Sequence, residues 1–129
     1  MEIGLLLHTR QLVRQEDAAK SFSQLWADAA QAEELGFDHI WLGDSVTVLD
    51  KARGDCLTTT AALAARTSKI RLGIVPMLPA LRHPVLLAHA LATIDVISNG
   101  RVTLGVSVGP VRDYIQRQFA ACGVPPQEK

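Results

Sequence analysis

Apolar residues gather in four short runs, Ile3–Leu7, His39–Leu42, Ile70–Val75 and Val102–Val108, and longer mixed stretches separate them. The runs are mostly Ile, Leu and Val and show no clean alternation with polar residues. That pattern predicts strands buried on both faces, as in parallel sheets. The stretches between them follow a helical period. In Ser21–Gly36, the residues Phe22, Leu25, Trp26, Ala29 and Ala30 fall on one stripe, Glu33 and Glu34 lie outside it, and Gly36 is placed to stop the helix. A second helix is predicted over Asp55–Thr67 with Asp55 as its cap. A third starts at Pro84, carries Leu87, Ala90, Leu91 and Ile94 on one face, and stops at Ser98-Asn99-Gly100. A weaker fourth pattern runs from Val111 to Cys122.

The strands begin near residues 3, 39, 70 and 102, at intervals of 36, 31 and 32. A strand followed by a helix at this repeat is the βαβ unit, whose crossover is right-handed. The fold class is therefore α/β. Periodicity alone leaves two architectures open, a doubly wound open sheet and a barrel.

Composition narrows the partners. The chain has 129 residues, with 13 basic and 13 acidic side chains. The length suits one domain, residues 1–129, about half of the roughly 250 residues of a complete (βα)8 barrel. Zero net charge gives no electrostatic reason for a nucleic acid or an anionic membrane as partner. Cys56 and Cys122 form no CxxC pair, so neither a disulfide framework nor a metal site is expected. No apolar run reaches membrane-spanning length, and no cleavable leader is visible, so a reduced cytoplasmic setting is expected.

In parallel βα folds, chemistry sits at the C-terminal ends of the strands. Those ends carry His8-Thr9-Arg10, Gly43-Asp44-Ser45, the stretch from Val75 to Pro79 with Arg82-His83-Pro84, and Gly105-Val106-Ser107-Val108-Gly109. The last is not a GxGxxG fingerprint. No P-loop, Cys-His cluster or GxSxG elbow is present.

Four blocks, in order and at matching spacing, resemble the luciferase-like monooxygenase family. They are Ala32-Glu33-Glu34-Leu35-Gly36-Phe37-Asp38 with Ile40-Trp41 and Asp44, Ala61–Gly73, Arg82-His83-Pro84 with Leu87-Ala88, and Thr93–Arg101 followed by Leu104-Gly105. The resemblance implies a TIM-type (βα)8 barrel, of which this chain holds the first four βα units. It implies an oxidoreductase or monooxygenase that uses FMN or coenzyme F-420, with the ring at the C-terminal mouth and a small-molecule substrate. Asp44 matches the acidic residue that faces ring and substrate in the family, and a loop cap is its alternative role. The family often has His next, where Ser45 stands here. The Gly73-Ile74-Val75-Pro76 stretch matches the third-strand end that packs against the ring, where many deazaflavin-type members have a non-prolyl cis peptide. Pro76 departs from that pattern.

His8 closes the first strand and is a candidate for the site, with surface packing as its alternative. His39 and His83 are read as structural. Ser107 and Gly109, at the end of the fourth strand, are small enough to let a ring or phosphate approach. Ser98, Gly100 and Arg101 lie at the opposite end and are read as turn and stability residues. Arg112 is read as a solvated helix residue. The candidate site is thus Asp44 and His8 for catalysis, with Gly73, Ile74, Val75, Pro76, Ser107 and Gly109 for the cofactor.

Four parallel strands cannot close a barrel and leave two raw edges. Self-association or a missing C-terminal half is expected. The alternatives to an oxidoreductase are a truncated non-catalytic subunit, or pseudoenzyme, without the cofactor phosphate site, and an unrelated open α/β binding domain.

Overall fold

A computed structural model describes residues 1–9, 18–46 and 53–125. Arg10 of the first strand-end motif lies outside the described residues, as do Pro126–Lys129. The strands are β1 (Gly4–Leu7), β2 (His39–Leu42), β3 (Arg71–Met77) and β4 (Val102–Val106). The helices are α1 (Ala18–Glu34), α2 (Cys56–Ala64), α3 (Pro84–Ser98) and α4 (Asp113–Ala121), with a short 3-10 turn at Pro79–Leu81.

All neighbouring strands pair in parallel, in the order β1-β2-β3-β4. A doubly wound sheet reverses its strand order at a switch point. This sheet does not, and its helices supply a core on one face. Leu7, Ile40, Leu42 and Leu72 pack there against Leu25, Ala29 and Ala32 of α1, Leu63 and Ala64 of α2, and Ile94 of α3. Ile40 and Leu42 are each 1% exposed, whereas Leu6 and Val75 on the other face are 49% and 37% exposed. One face covered by helices and one left open is the wall of a barrel, not the centre of a sandwich.

Local chemistry explains the element ends. The Asp55 carboxylate accepts from the Thr58 N–H at 2.8 Å and caps α2. Asn99 and Gly100 take positive φ values of 58° and 76° to end α3. The α1 stripe differs from the expected one at its end: Ala30 is exposed and Ala32 is buried, so the stripe runs Leu25, Ala29, Ala32. Strand β3 continues past Val75 to Met77. Ile74 stands opposite Leu104 and Met77 opposite Val106, so three steps on β3 face two on β4, and the extra residue forms a bulge. Pro76 lies in this bulge, where a missing N–H costs no ladder bond. The Val75–Pro76 peptide is cis, so the cis bond at this strand end is a prolyl one.

The open face has its own packing. Trp41 lies between Gly4 and Gly73, and a methyl at either glycine would overlap the indole. His39 stacks on the same ring, with centroids 5.2 Å apart. Gly73 was read as part of the third-strand stretch that packs against a cofactor ring; in the structure the space above it is filled by Trp41 of the same chain.

Two clamps hold the N-terminal end of the sheet. Glu33, at the end of α1, accepts from the N–H groups of Ser68, Lys69 and Ile70 at 2.7–3.0 Å, and from the Ser68 hydroxyl at 3.1 Å. The Arg101 guanidinium donates to the carbonyls of Ser98, Ile70, Ala64 and Thr67 at 2.6–2.9 Å, and to the Thr67 hydroxyl at 2.9 Å. Arg101 thereby ties the end of α3 to the end of α2 and the start of β3. Its expected structural role is what the geometry displays.

Burial works to raise the Glu33 pKa, but the three backbone N–H donors and the Ser68 hydroxyl outweigh it and hold it at about 2, against an ordinary 4.5. A depressed folded-state pKa gives stability that is complete above about pH 4.5 and is lost as the pH falls towards 2. Acid titration of folding should therefore show a loss in this window that Glu33→Gln removes. At pH 7 the same variant should cost about 1–2 kcal/mol, discounted for solvent screening. Equal acid sensitivity in both proteins would refute the clamp. Gly73→Ala should lower the thermal midpoint by an amount corresponding to about 1–3 kcal/mol, through overpacking against Trp41. Adding Trp41→Leu should reverse part of that loss, read as a coupling energy in a double-mutant cycle.

Candidate active site at the strand ends

Strands β1, β2 and β3 end around a cavity of about 290 Å³. Its apolar bed is Leu6, Val75 and Pro76, and its polar wall includes His8, Asp44, Ser45 and Arg53. The fourth helix does not pack along β4 like the earlier helices. It crosses the mouth, where Ile115 and Phe119 pack on Leu78 and Leu81, and Tyr114 and Gln118 line the cavity.

Asp44 is the centre of a closed network. Arg82 donates two hydrogen bonds to it, Nη1 to Oδ2 and Nη2 to Oδ1, both at 2.7 Å. The Leu78 N–H donates to Oδ2 at 3.0 Å and the Cys56 thiol to Oδ1 at 3.2 Å. The Asp44 side chain is 0% exposed and that of Arg82 15% exposed. Asp55 adds a second carboxylate 3.6 Å from Arg82. The hydrogen bond that Arg82 donates to Asp44 pushes the Arg82 pKa up, and burial opposes it only in part. Burial pushes the Cys56 thiol up as well. The Asp44 charge and hydrogen bond add to this, and Arg82 only partly offsets it. The thiol is therefore a protonated donor, not a nucleophile.

Ser45 and Gln118 are also paired. The Ser45 hydroxyl donates to Gln118 Oε1 at 2.9 Å, the Val46 N–H donates to the same oxygen at 3.0 Å, and Gln118 Nε2 donates to the Tyr114 carbonyl at 3.4 Å. Gln118 is buried and locks α4 across the loop that follows β2.

The candidate residues divide accordingly. His8, Asp44, Val75 and Pro76 come together around the cavity. Ile74 points to the helix side and is fully buried with Cys56, Met77 and Leu87. Ser107 accepts the Gly109 N–H at 3.0 Å and lies in a separate apolar groove with Pro79, Val106 and Val108. Gly109, with φ of 82°, turns the chain beneath Ile115 and Leu78. His83 occupies the position before α3 with no side-chain cap, and Arg112 does the same for α4. Sequence reading passed over Arg82, Arg53, Tyr114 and Gln118 as site residues. The Arg82-His83-Pro84 motif was a signal for the first of these, and nothing local marked the others.

A family model described as luciferase-like monooxygenase matches residues 1–128. The F-420-dependent glucose-6-phosphate dehydrogenase of Amycolatopsis mediterranei is 36% identical over 91 residues, which are 67% of this chain and 27% of that protein. The oxygenase component of the flavin-dependent trigonelline monooxygenase of Acinetobacter baylyi is 27% identical over 109 residues, 84% of this chain and 30% of its own. The crystal structure of monooxygenase RslO1 from Streptomyces bottropensis superposes with a TM-score of 0.81 at 31% identity, over 97% of this chain and 37% of that one. The chain thus spans between about a quarter and two fifths of these relatives' lengths, from 27% to 37%. With the whole described sheet in the same arrangement and the family match running nearly end to end, the chain belongs to the luciferase-like monooxygenase family.

Proposed function

We propose that this chain supplies the ring-side wall of a site for a flavin or deazaflavin ring, FMN or coenzyme F-420, in an oxidoreductase or monooxygenase acting on a small molecule. One observation carries this reading: an apolar bed of Leu6, Val75 and Pro76 faces a wall of polar side chains at the C-terminal ends of the strands. A flat ring with an apolar face and a polar edge fits that arrangement. The volume, about 290 Å³, is at the lower end of the range of ligand sites, about 300–1,000 Å³, and suits a ring system. The matched relatives include proteins named as F-420-dependent and as flavin-dependent, which supports either ring.

A bound ring would supply the hydride or oxygen chemistry, and the protein supplies position and electrostatics. Val75 and Pro76 offer a surface with no N–H at position 76, so their contact is by packing. Asp44 and Arg82 hold the loop after β2 against the turn after β3, fixing the height of that bed. The open face with Leu6 and Val75, and the free edges of β1 and β4, call for further βα units. We propose that these come from more polypeptide or from a second copy. The free thiols of Cys56 and Cys122 fit a cytoplasmic setting.

Fluorescence titration of the purified chain with FMN and with coenzyme F-420 tests the reading. Saturable binding of one of them is expected, and Val75→Glu, at an exposed bed position, should weaken it at least about tenfold, the equivalent of about 1.4 kcal/mol. A folded chain that binds neither would favour the non-catalytic alternative. Arg82→Gln should destabilise folding by about 3–5 kcal/mol, because it leaves a buried carboxylate without its partner. The added change Asp44→Asn should restore part of that loss in urea unfolding.

A further inference from the structure

We propose that His8 is the proton-exchanging side chain of this site, and that Asp44, held by Arg82, is a positioning residue. The proposal rests on the reading of the cavity as a ring site and assigns its acid–base chemistry.

Asp44 accepts four hydrogen bonds from three residues, and its side chain is fully buried. With both oxygens occupied and Arg82 forked onto them, the pair is closed and electrically neutral. Proton transfer through Asp44 would break a buried ion pair, which is the costly direction. The Ser45 hydroxyl is given to Gln118, and Gln118 is bonded at both ends. Arg53 is a guanidinium and does not give up its proton in proteins. His8 differs from all of these. It is exposed, it lines the cavity, and it makes no hydrogen bond or ion pair with the described residues. Histidine is also the side-chain type whose charge ordinarily changes near neutral pH.

The charged and titratable groups that line the cavity with His8 are Asp44, Arg53 and Tyr114, and Arg82 joins Asp44 to Cys56 and Asp55. In the transfer itself, a proton leaves an imidazolium nitrogen for an oxygen or nitrogen of the bound molecule, and the imidazole is left neutral. The reverse transfer returns it.

The test is a histidine NMR titration of the whole chain, free and with FMN or coenzyme F-420, with His8→Gln used to assign the signal. Bound ligand should move the His8 midpoint by at least about half a unit and leave those of His83 and His89 in place. By linkage, that shift corresponds to about a threefold change in affinity across the titration. Affinity measured from pH 5.5 to 8.5 should therefore vary more in the wild type than in His8→Gln, where only the titration of the ligand remains. Asp44→Asn should weaken binding at every pH and keep the profile. If that variant does not fold, Arg82→Lys, which keeps the charge and loses the fork, should behave in the same way. Binding whose profile survives His8→Gln, or vanishes in Asp44→Asn, overturns this inference and leaves the ring site standing. No binding by the wild-type chain sinks the ring site and the inference together.

Discussion

The mouth of this protein depends on one buried ion pair, Asp44 with Arg82. Each partner alone would be a severe cost inside the fold. Together, at 2.7 Å on both arms, they cancel, and the Leu78 N–H and the Cys56 thiol satisfy what remains of the carboxylate. Such a pair adds little net stability compared with apolar side chains of the same shape, but losing one partner is expensive. Its value is geometric. It fixes the end of β2, the turn after β3 and the start of α2 relative to one another, and those are the pieces that shape the cavity.

The opposite end of the sheet is fixed by a different device. Glu33 gathers three successive N–H groups before β3, and Arg101 gathers carbonyls from the ends of α2 and α3. Both satisfy backbone groups that the helix ends and the strand entry leave unpaired. Between these ends, a one-sided apolar core carries the sheet, and Trp41 fills the open face over two glycines. Polar clamps at both ends and packing in the middle give a wall that holds its shape while one face stays open.

The elements were legible because they rest on local signals: apolar runs, Pro84 at a helix start, Asn99-Gly100 at a helix stop, and Asp55 at a cap. The order of the strands was not legible from periodicity, which says nothing of which strand lies beside which; the barrel implied by the family resemblance supplied it. The candidate site was half legible. His8, Asp44, Val75 and Pro76 follow from the rule that chemistry sits at strand ends. Ile74 is adjacent in sequence but faces the helices, since alternate strand residues point to opposite sides, and Gly73 shares the open face with Val75 but lies under Trp41. The role of Arg82 depends on a contact spanning 38 residues, and that of Gln118 on one spanning 73. Contacts at such separations leave no local pattern to read.

The fourth helix shows how those distant contacts decide the chemistry. By crossing the mouth, α4 brings Gln118 onto Ser45 and Val46 and uses up their donors and acceptors. The same helix closes an apolar roof over Leu78 and Leu81. A site that spends its carboxylate, hydroxyl and amide on holding itself in place keeps few groups for the ligand. Under the proposed reading, that economy gives a ring a fixed bed and leaves proton exchange to the histidine at the end of the first strand.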